Sequence, residues 1–267
     1  MTPRANDFPV EVSSWSQLAA LVEHFSFFNG YDWLFRGAMD ASYGLVPKIG
    51  RKETRGRKKD QTTNERVRVP YRAEDEHAVF TMFKQQARAY LPAWPDSELQ
   101  QLAIAQHFGL PTRLLDWTDS LLVAAWFAVE KGGAKTPDSA IWVTKGVPTI
   151  EADYVGDVLT LTESKSYRPP HISPRIVAQG SVFVICPKPT DELTLPFAQK
   201  IVIKREAEFT LKKRLTACGI NRRHLFPDLG GLSDHLAWMY KNDWLAGYRQ
   251  RSATQTESPS DDEPDEG

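Results

Sequence analysis

Gln106-His-Phe-Gly-Leu-Pro-Thr-Arg-Leu-Leu-Asp-Trp-Thr118 is the stretch on which a reading of the fold turns. A helical segment opens near Asp96, an N-cap candidate, and runs to His107 and Phe108. Gly109 can supply its left-handed cap, and Pro111 enforces the stop. The chain then re-enters apolar surroundings carrying Arg113, Asp116 and Thr118, and a polar stretch extends from Thr112 to Ser120. Leu121 to Glu130 follows as a mostly buried helix ended by the Gly132-Gly133 pair. So many polar side chains between two apolar helices are unusual for a plain connection.

Upstream, Leu18, Leu21, Val22 and Phe25 share one helical face, which predicts an amphipathic helix over Ser16–Phe28. Asp32–Gly37 is short, aromatic and closed by glycine, the pattern of a buried strand with Arg36 at its end. Val79, Phe80, Phe83 and Ala87 predict a helix over Ala73–Tyr90. Strand-like runs then gather at Ala140–Thr144, Val155–Leu161, Ser181–Ile185 and Lys200–Ile203. Helical periodicity returns at Glu206–Cys218 and from Leu232 to Tyr248. Helices dominate the first half and strands the second. The expected fold class is therefore α+β, a single mixed domain with a small central sheet flanked by helices.

That domain is expected over residues 15–248, after a flexible N-terminus at 1–14. Residues 51–72 hold nine basic and three acidic residues without apolar periodicity and read as a mobile basic insertion loop. A nucleic acid or an acidic protein is the partner such a loop would suit. Residues 249–267 form an acidic tail expected to be disordered.

Composition narrows the function classes. A net charge of -1 over 267 residues gives no global pull toward nucleic acid or an anionic membrane. Two cysteines, Cys186 and Cys218, exclude a disulfide framework and are expected to be reduced core thiols. The six histidines show no zinc spacing, so no metal is expected. Without an apolar run long enough for a signal peptide or a membrane span, the expected location is cytoplasmic, with no membrane partner.

Arg36 at the end of a buried strand needs a carboxylate, a carbonyl or a ligand phosphate. Asp116 can orient Arg36 or Arg113, Thr112 and Thr118 can bond a ribose or phosphate, and Trp117 can stack on a ring. His107 is the candidate base. Two readings of this cluster stay open: a nucleotide site, or an internal hydrogen-bonded network that fixes the packing.

The same segments resemble the FRG family, a bacterial and phage-associated domain named for its Phe-Arg-Gly motif, matched by Phe35-Arg36-Gly37. The family's Leu-Pro-x-x-x-Arg continuation is similar to Leu45-Val-Pro47 through Arg51, and its longest signature appears intact from Gln106 to Thr118. Resemblance extends through Ala124–Ala128, the Arg175–Phe183 stretch around Gln179-Gly180, and Leu225–Leu229. The family's layout is in turn similar to that of ADP-ribosyltransferases. In that analogy Arg36 holds NAD, the possible nucleotide ligand and substrate, Thr112 and Thr118 brace the ribose, and Gln179 stands where those enzymes carry a glutamate. Gln179 lacks the charge that stabilises a ribosyl cation, so Asp116 or Asp228 would have to serve. The catalytic candidates are thus Arg36, Gln179 and Asp116, and the ligand-binding candidates Arg36, Thr112, Arg113, Trp117, Thr118 and His107. Three functions remain: an NAD-using ADP-ribosyltransferase-like effector in a toxin or anti-phage defence role, a non-catalytic binding module, or motifs that only determine the fold.

Overall fold

In the computed structural model, which describes residues 8–27, 32–60, 65–91, 93–132, 136–151, 153–170 and 173–245, the aromatic segment before Gly37 is strand β2, Trp33–Ala38. It pairs along its length with β6 (Ser139–Lys145) but with β5 (Leu114–Thr118) in register only at Phe35 and Thr118. β5 pairs fully with β8 (Ser181–Ile185), which carries β7 (Lys165–Tyr167) outside it. On the other flank β6 carries β9 (Gln199–Ile203), and β9 carries β1 (Glu11–Val12). The seven-stranded order is β1-β9-β6-β2-β5-β8-β7, antiparallel except between β1 and β9.

Side-chain alternation divides the two faces of this sheet. Trp33, Phe35, Ile141, Val143, Ile201 and Ile203 point to one face and bury against α1 (Trp15–Phe27), α4 (Leu121–Val129) and α6 (Arg205–Ala217). The pairing register puts Leu114, Phe183, Ile185 and Tyr167 on that same face, under α2 (Ala73–Ala87) and α3 (Glu98–His107). Two helical groups thus cover the two ends of one face. Polar Asp116, Thr118 and Ser181 occupy the middle. The opposite face buries Leu34, Leu115, Trp117, Val182 and Val184 under loop residues Leu45, Val147 and Leu195. Three short or terminal helices, α5 (Pro174–Ala178), α7 (Arg222–Leu225) and α8 (Leu229–Lys241), complete the domain.

Each residue of the Phe-Arg-Gly motif has its own task. Phe35 turns to the helices and meets the Phe25 ring edge-on at 5.0 Å. Arg36 turns to the other face. At Gly37 an added Cβ would strike the carbonyl oxygen of Ala124 and lie 2.6 Å from the backbone nitrogen of Ala128, so only glycine lets α4 approach β2 this closely.

The α+β class is as expected, but the sheet is not small. Seven strands replace the five expected, because β1, β5 and β7 are too short or too polar to stand out, while Val155–Leu161 forms no strand. There the Asp157 side chain accepts the Leu159 N–H at 2.8 Å and bends Val158–Thr160 into a 3-10 turn. Val158 is buried and Val155 is 98% exposed. The domain also starts before residue 15: Phe8 and Val12 are core residues. The basic insertion is a hairpin, β3 (Arg57–Lys59) against β4 (Arg66–Arg68), rather than a structureless loop. Of the predicted termini, residues 1–7 and the tail from 246 onward lie outside the described residues. Cys186 is a buried thiol, its pKa pushed up to about 12 by burial, whereas Cys218 is exposed beyond the end of α6. No helix among the described residues is long and apolar enough to cross a membrane.

Gly37→Ala should lower unfolding stability by about 1–3 kcal/mol, the usual cost of overpacking. Urea denaturation measures it; a midpoint equal to wild type would show that α4 yields without strain.

Candidate functional site

Where β2 and β5 separate beyond Phe35 and Thr118, the sheet opens into a cleft of about 1020 Å³, at the upper end of the size of small-molecule sites. Its wall takes residues from β2, β5, β8, the 3-10 turns at Lys48–Gly50 and Lys52–Thr54, and the ends of α3 and α5. Arg36 reaches across the split and donates from Nη1 to the main-chain carbonyl of Asp116. That contact supplies the carbonyl with the partner that the parted ladder withholds. Burial lowers the pKa of Arg36, the Asp116 charge opposes the shift, and Arg51 reinforces it. A guanidinium stays protonated under such a shift. Of the partners left open for Arg36, the structure gives the carbonyl and not a salt bridge to the Asp116 carboxylate. The contact is to the backbone, and among the described residues no carboxylate lies within ion-pair distance of Arg36.

The Asp116 carboxylate faces the cleft, held by a relay. Thr112 Oγ1 donates to Gln106 Oε1 at 2.6 Å, and Gln106 Nε2 donates to Asp116 Oδ2 at 3.0 Å. Thr112 is buried and its hydroxyl also accepts the Leu114 N–H at 3.1 Å, so it serves this relay and not a ligand. Gln106 is a positioning residue missed from sequence, although it opens the signature stretch.

Arg113 stands away from the cleft. Its Nε and Nη2 donate to Glu76 of α2 at 2.9 and 2.8 Å, and Nη1 donates to the Leu159 carbonyl at 2.7 Å. Burial opposes its charge, but Glu76 and then Tyr71 outweigh burial and raise its pKa. Its assignment to ligand binding is corrected: all three guanidinium nitrogens are spent on the protein, in a buried pair that ties α2 to β5.

Trp117 is 3% exposed and packed among Leu34, Leu115 and Val184, so neither ring face is open for the expected stacking. Its indole N–H nonetheless finds no acceptor among the described residues, although Trp117 lines the cleft. The half-exposed indole on the wall is Trp142, the cross-strand neighbour of Arg36. Thr118 Oγ1 donates to the Gln179 carbonyl at 2.7 Å and accepts the Ser120 N–H at 3.1 Å, which fastens β5 to the turn before β8. Gln179 sits at the C-cap of α5 and not on a strand, and its amide donates to the Leu225 carbonyl at 2.9 Å. It lines the cleft, and one N–H of its side-chain amide is engaged by that carbonyl.

His107, at the end of α3, lines the cleft. Burial lowers its pKa, the Arg175 charge lowers it further, and Asp116 works against both. Arg175 is a cleft cation missed as a site residue, although it opens the Arg175–Phe183 stretch of the resemblance. Its guanidinium lies 4.4 Å from the centre of the Phe226 ring, with Arg222 at 4.5 Å. Arg222 pairs with Glu130 and with Asp234, while Arg175 makes no ion pair among the described residues. The Leu225–Asp228 motif thus supports the cleft from behind: its carbonyl holds Gln179 and its ring holds Arg175.

Glu76→Gln leaves Arg113 buried without its counter-charge and should cost about 3–5 kcal/mol in urea unfolding, whereas the double variant Glu76→Leu with Arg113→Met should recover most of that loss. By NMR titration, the midpoint of His107 should lie below its ordinary 6.5. Arg175→Ala should raise it and Asp116→Asn lower it; opposite movements would place His107 outside the field of these charges.

Residues 31–136 match the family model of the FRG domain. The match spans β2, the cationic turns, the Gln106–Thr118 strand and relay, and α4, and it ends before Arg175 and Gln179. No curated protein and no solved structure matches the chain, so the expected likeness to ADP-ribosyltransferases has no solved relative behind it. With Phe35, Arg36 and Gly37 set as described and the Gln106–Thr118 signature forming the cleft wall, the chain carries an FRG domain.

Proposed function

We propose that the cleft binds a nucleotide through its phosphates, NAD being the ligand that best suits the remaining groups. One observation carries this reading. Arg36, Lys48, Arg51, Lys52, Arg55 and Arg175 all line the cleft, and among the described residues none has a carboxylate within ion-pair distance. Arg36 and three others contact neutral carbonyls, Lys48 at Gly109 at 2.9 Å, Arg51 at Val46 at 2.9 Å and Arg55 at Gly50 at 3.4 Å, while Arg175 rests on the Phe226 ring. Glu53, Asp116 and Glu130 share the wall, so its six cations outnumber its three acids; the surplus charges repel one another, and a pyrophosphate relieves that repulsion while accepting charge-assisted hydrogen bonds.

The chemistry that fits is transfer of the ADP-ribosyl group. The bond from the ribose C1 to the nicotinamide nitrogen breaks with its electron pair leaving on nicotinamide, and C1 bonds to the acceptor's nucleophilic atom. Asp116 is the carboxylate placed to stabilise the ribosyl cation, in the role that the sequence analogy gave to Gln179. His107, kept neutral by burial and Arg175, takes the acceptor's proton. The structural engagement of Gln179 and Thr118 favours a second reading, a module that binds the nucleotide without turning it over.

Isothermal titration with NAD and ADP-ribose should give saturable binding that weakens about 10- to 100-fold in Arg36→Ala, the worth of a charge-assisted hydrogen bond. Release of nicotinamide by wild type and not by Asp116→Asn supports transfer. Binding without release supports the module, and binding unchanged in Arg36→Ala overturns the site.

A further inference from the structure

The hairpin beside the cleft carries more positive charge on one face than its own stability favours. β3 and β4 set Arg57 opposite Arg68 and Lys59 opposite Arg66. Directly paired and alternating positions on a two-stranded ribbon share a face, so these four cations stand together, with cross-strand Cβ atoms about 4.5–5.5 Å apart. Like charges placed so are destabilising. All four side chains are exposed, and among the described residues none forms an ion pair. The ribbon is also fixed to the cleft. Arg68 donates to the carbonyls of Lys52 at 2.8 Å and Arg55 at 3.2 Å, and both of those residues line the cleft wall. Basic residues therefore continue from Arg36 through Arg51, Lys52 and Arg55 to the exposed ribbon.

We infer that the β3–β4 ribbon binds the phosphate backbone of a nucleic acid and presents that strand at the mouth of the cleft. The presentation step rests on the cleft being the nucleotide site; the binding step does not. Two features select nucleic acid over an acidic protein. Val67 is the sole apolar side chain apart from glycine between residues 51 and 68, so the ribbon lacks the apolar centre a protein interface needs. Nucleic-acid interfaces, by contrast, are polar and strongly positive. Cations at alternate positions of a strand recur about every 6.6–6.8 Å, twice the per-residue rise and close to twice the axial step between phosphates of one DNA strand.

Fluorescence anisotropy of a labelled 20-nucleotide single strand and of its duplex, with the full chain, tests this. Arg57, Lys59 and Arg66 together should give three phosphate contacts. Affinity should then fall between 50 and 200 mM salt by about 20-fold for the single strand or about 40-fold for the duplex. Arg57→Ala/Lys59→Ala/Arg66→Ala, which spares the anchoring Arg68, should lose most of that binding and its salt dependence. Its melting temperature should equal or exceed wild type because the like-charge pairs are relieved. Equal binding by the triple variant, no binding at 50 mM salt, or equal competition by polyglutamate each overturns the inference, the last in favour of an acidic protein. Strand binding with no response to NAD would overturn the cleft reading alone, and a normal NAD response without strand binding would overturn the ribbon alone.

Discussion

Where β2 and β5 part company, the carbonyl of Asp116 loses its ladder partner and Arg36 takes the place of one. A backbone carbonyl is an obligatory acceptor, and leaving it dry costs as much as a lost hydrogen bond. The guanidinium meets that demand while keeping its charge at the edge of the open space. The split in turn depends on close packing one residue further along β2, where Gly37 admits the backbone of α4. Phe35 to the helices, Arg36 to the cleft and Gly37 to α4 form a single mechanical unit, in which each residue works because strand alternation sends its neighbours the other way.

Arg36 and Arg113 show how one side-chain type reaches opposite ends. Arg113 meets Glu76 with two parallel hydrogen bonds in the interior and becomes a tie between α2 and β5. Arg36, with a carbonyl for its partner, has no carboxylate within ion-pair distance among the described residues, and Asp116 offsets its charge only through space. Lys48, Arg51 and Arg55 repeat the second pattern around one cavity, and Arg175 joins them over the Phe226 ring. A fold that needed these residues only for cohesion would have paired them with acids, as it pairs Arg222 with Glu130 and Asp234. The excess is a property of the cleft, since the chain as a whole is close to neutral.

Much of the frame was legible in the order of residues. The helices at Trp15–Phe27, Ala73–Ala87 and Leu121–Val129 follow apolar spacing, because a helix on a sheet must bury one stripe. β5 was concealed by its polar residue: Asp116 breaks the apolar run, and a half-polar strand reads as a connection. Val155–Leu161 misled in the other direction, since Val158 and Leu159 bury singly from a turn that Asp157 caps. The hairpin at 57–68 was hidden because its cations match no strand propensity. Of the residues singled out from the motif, Arg36, Asp116 and His107 line the cleft. Arg113, Thr112 and Thr118 carried the same polar signal and proved to be braces. Arg175 lay in a stretch of the resemblance but carried no sign of a role, as it packs on Phe226, far along the chain.

The sequence by itself determined the α+β class, the FRG signature and the neighbourhood of the site, because periodicity, glycine stops and motif residues are local properties of the chain. Tertiary structure alone decided which polar residues face the cavity, which cations lack acids and where the sheet opens. Those outcomes depend on strand register and on partners dozens of residues away, such as Glu76 for Arg113 and Leu225 for Gln179, and no local pattern encodes such pairings.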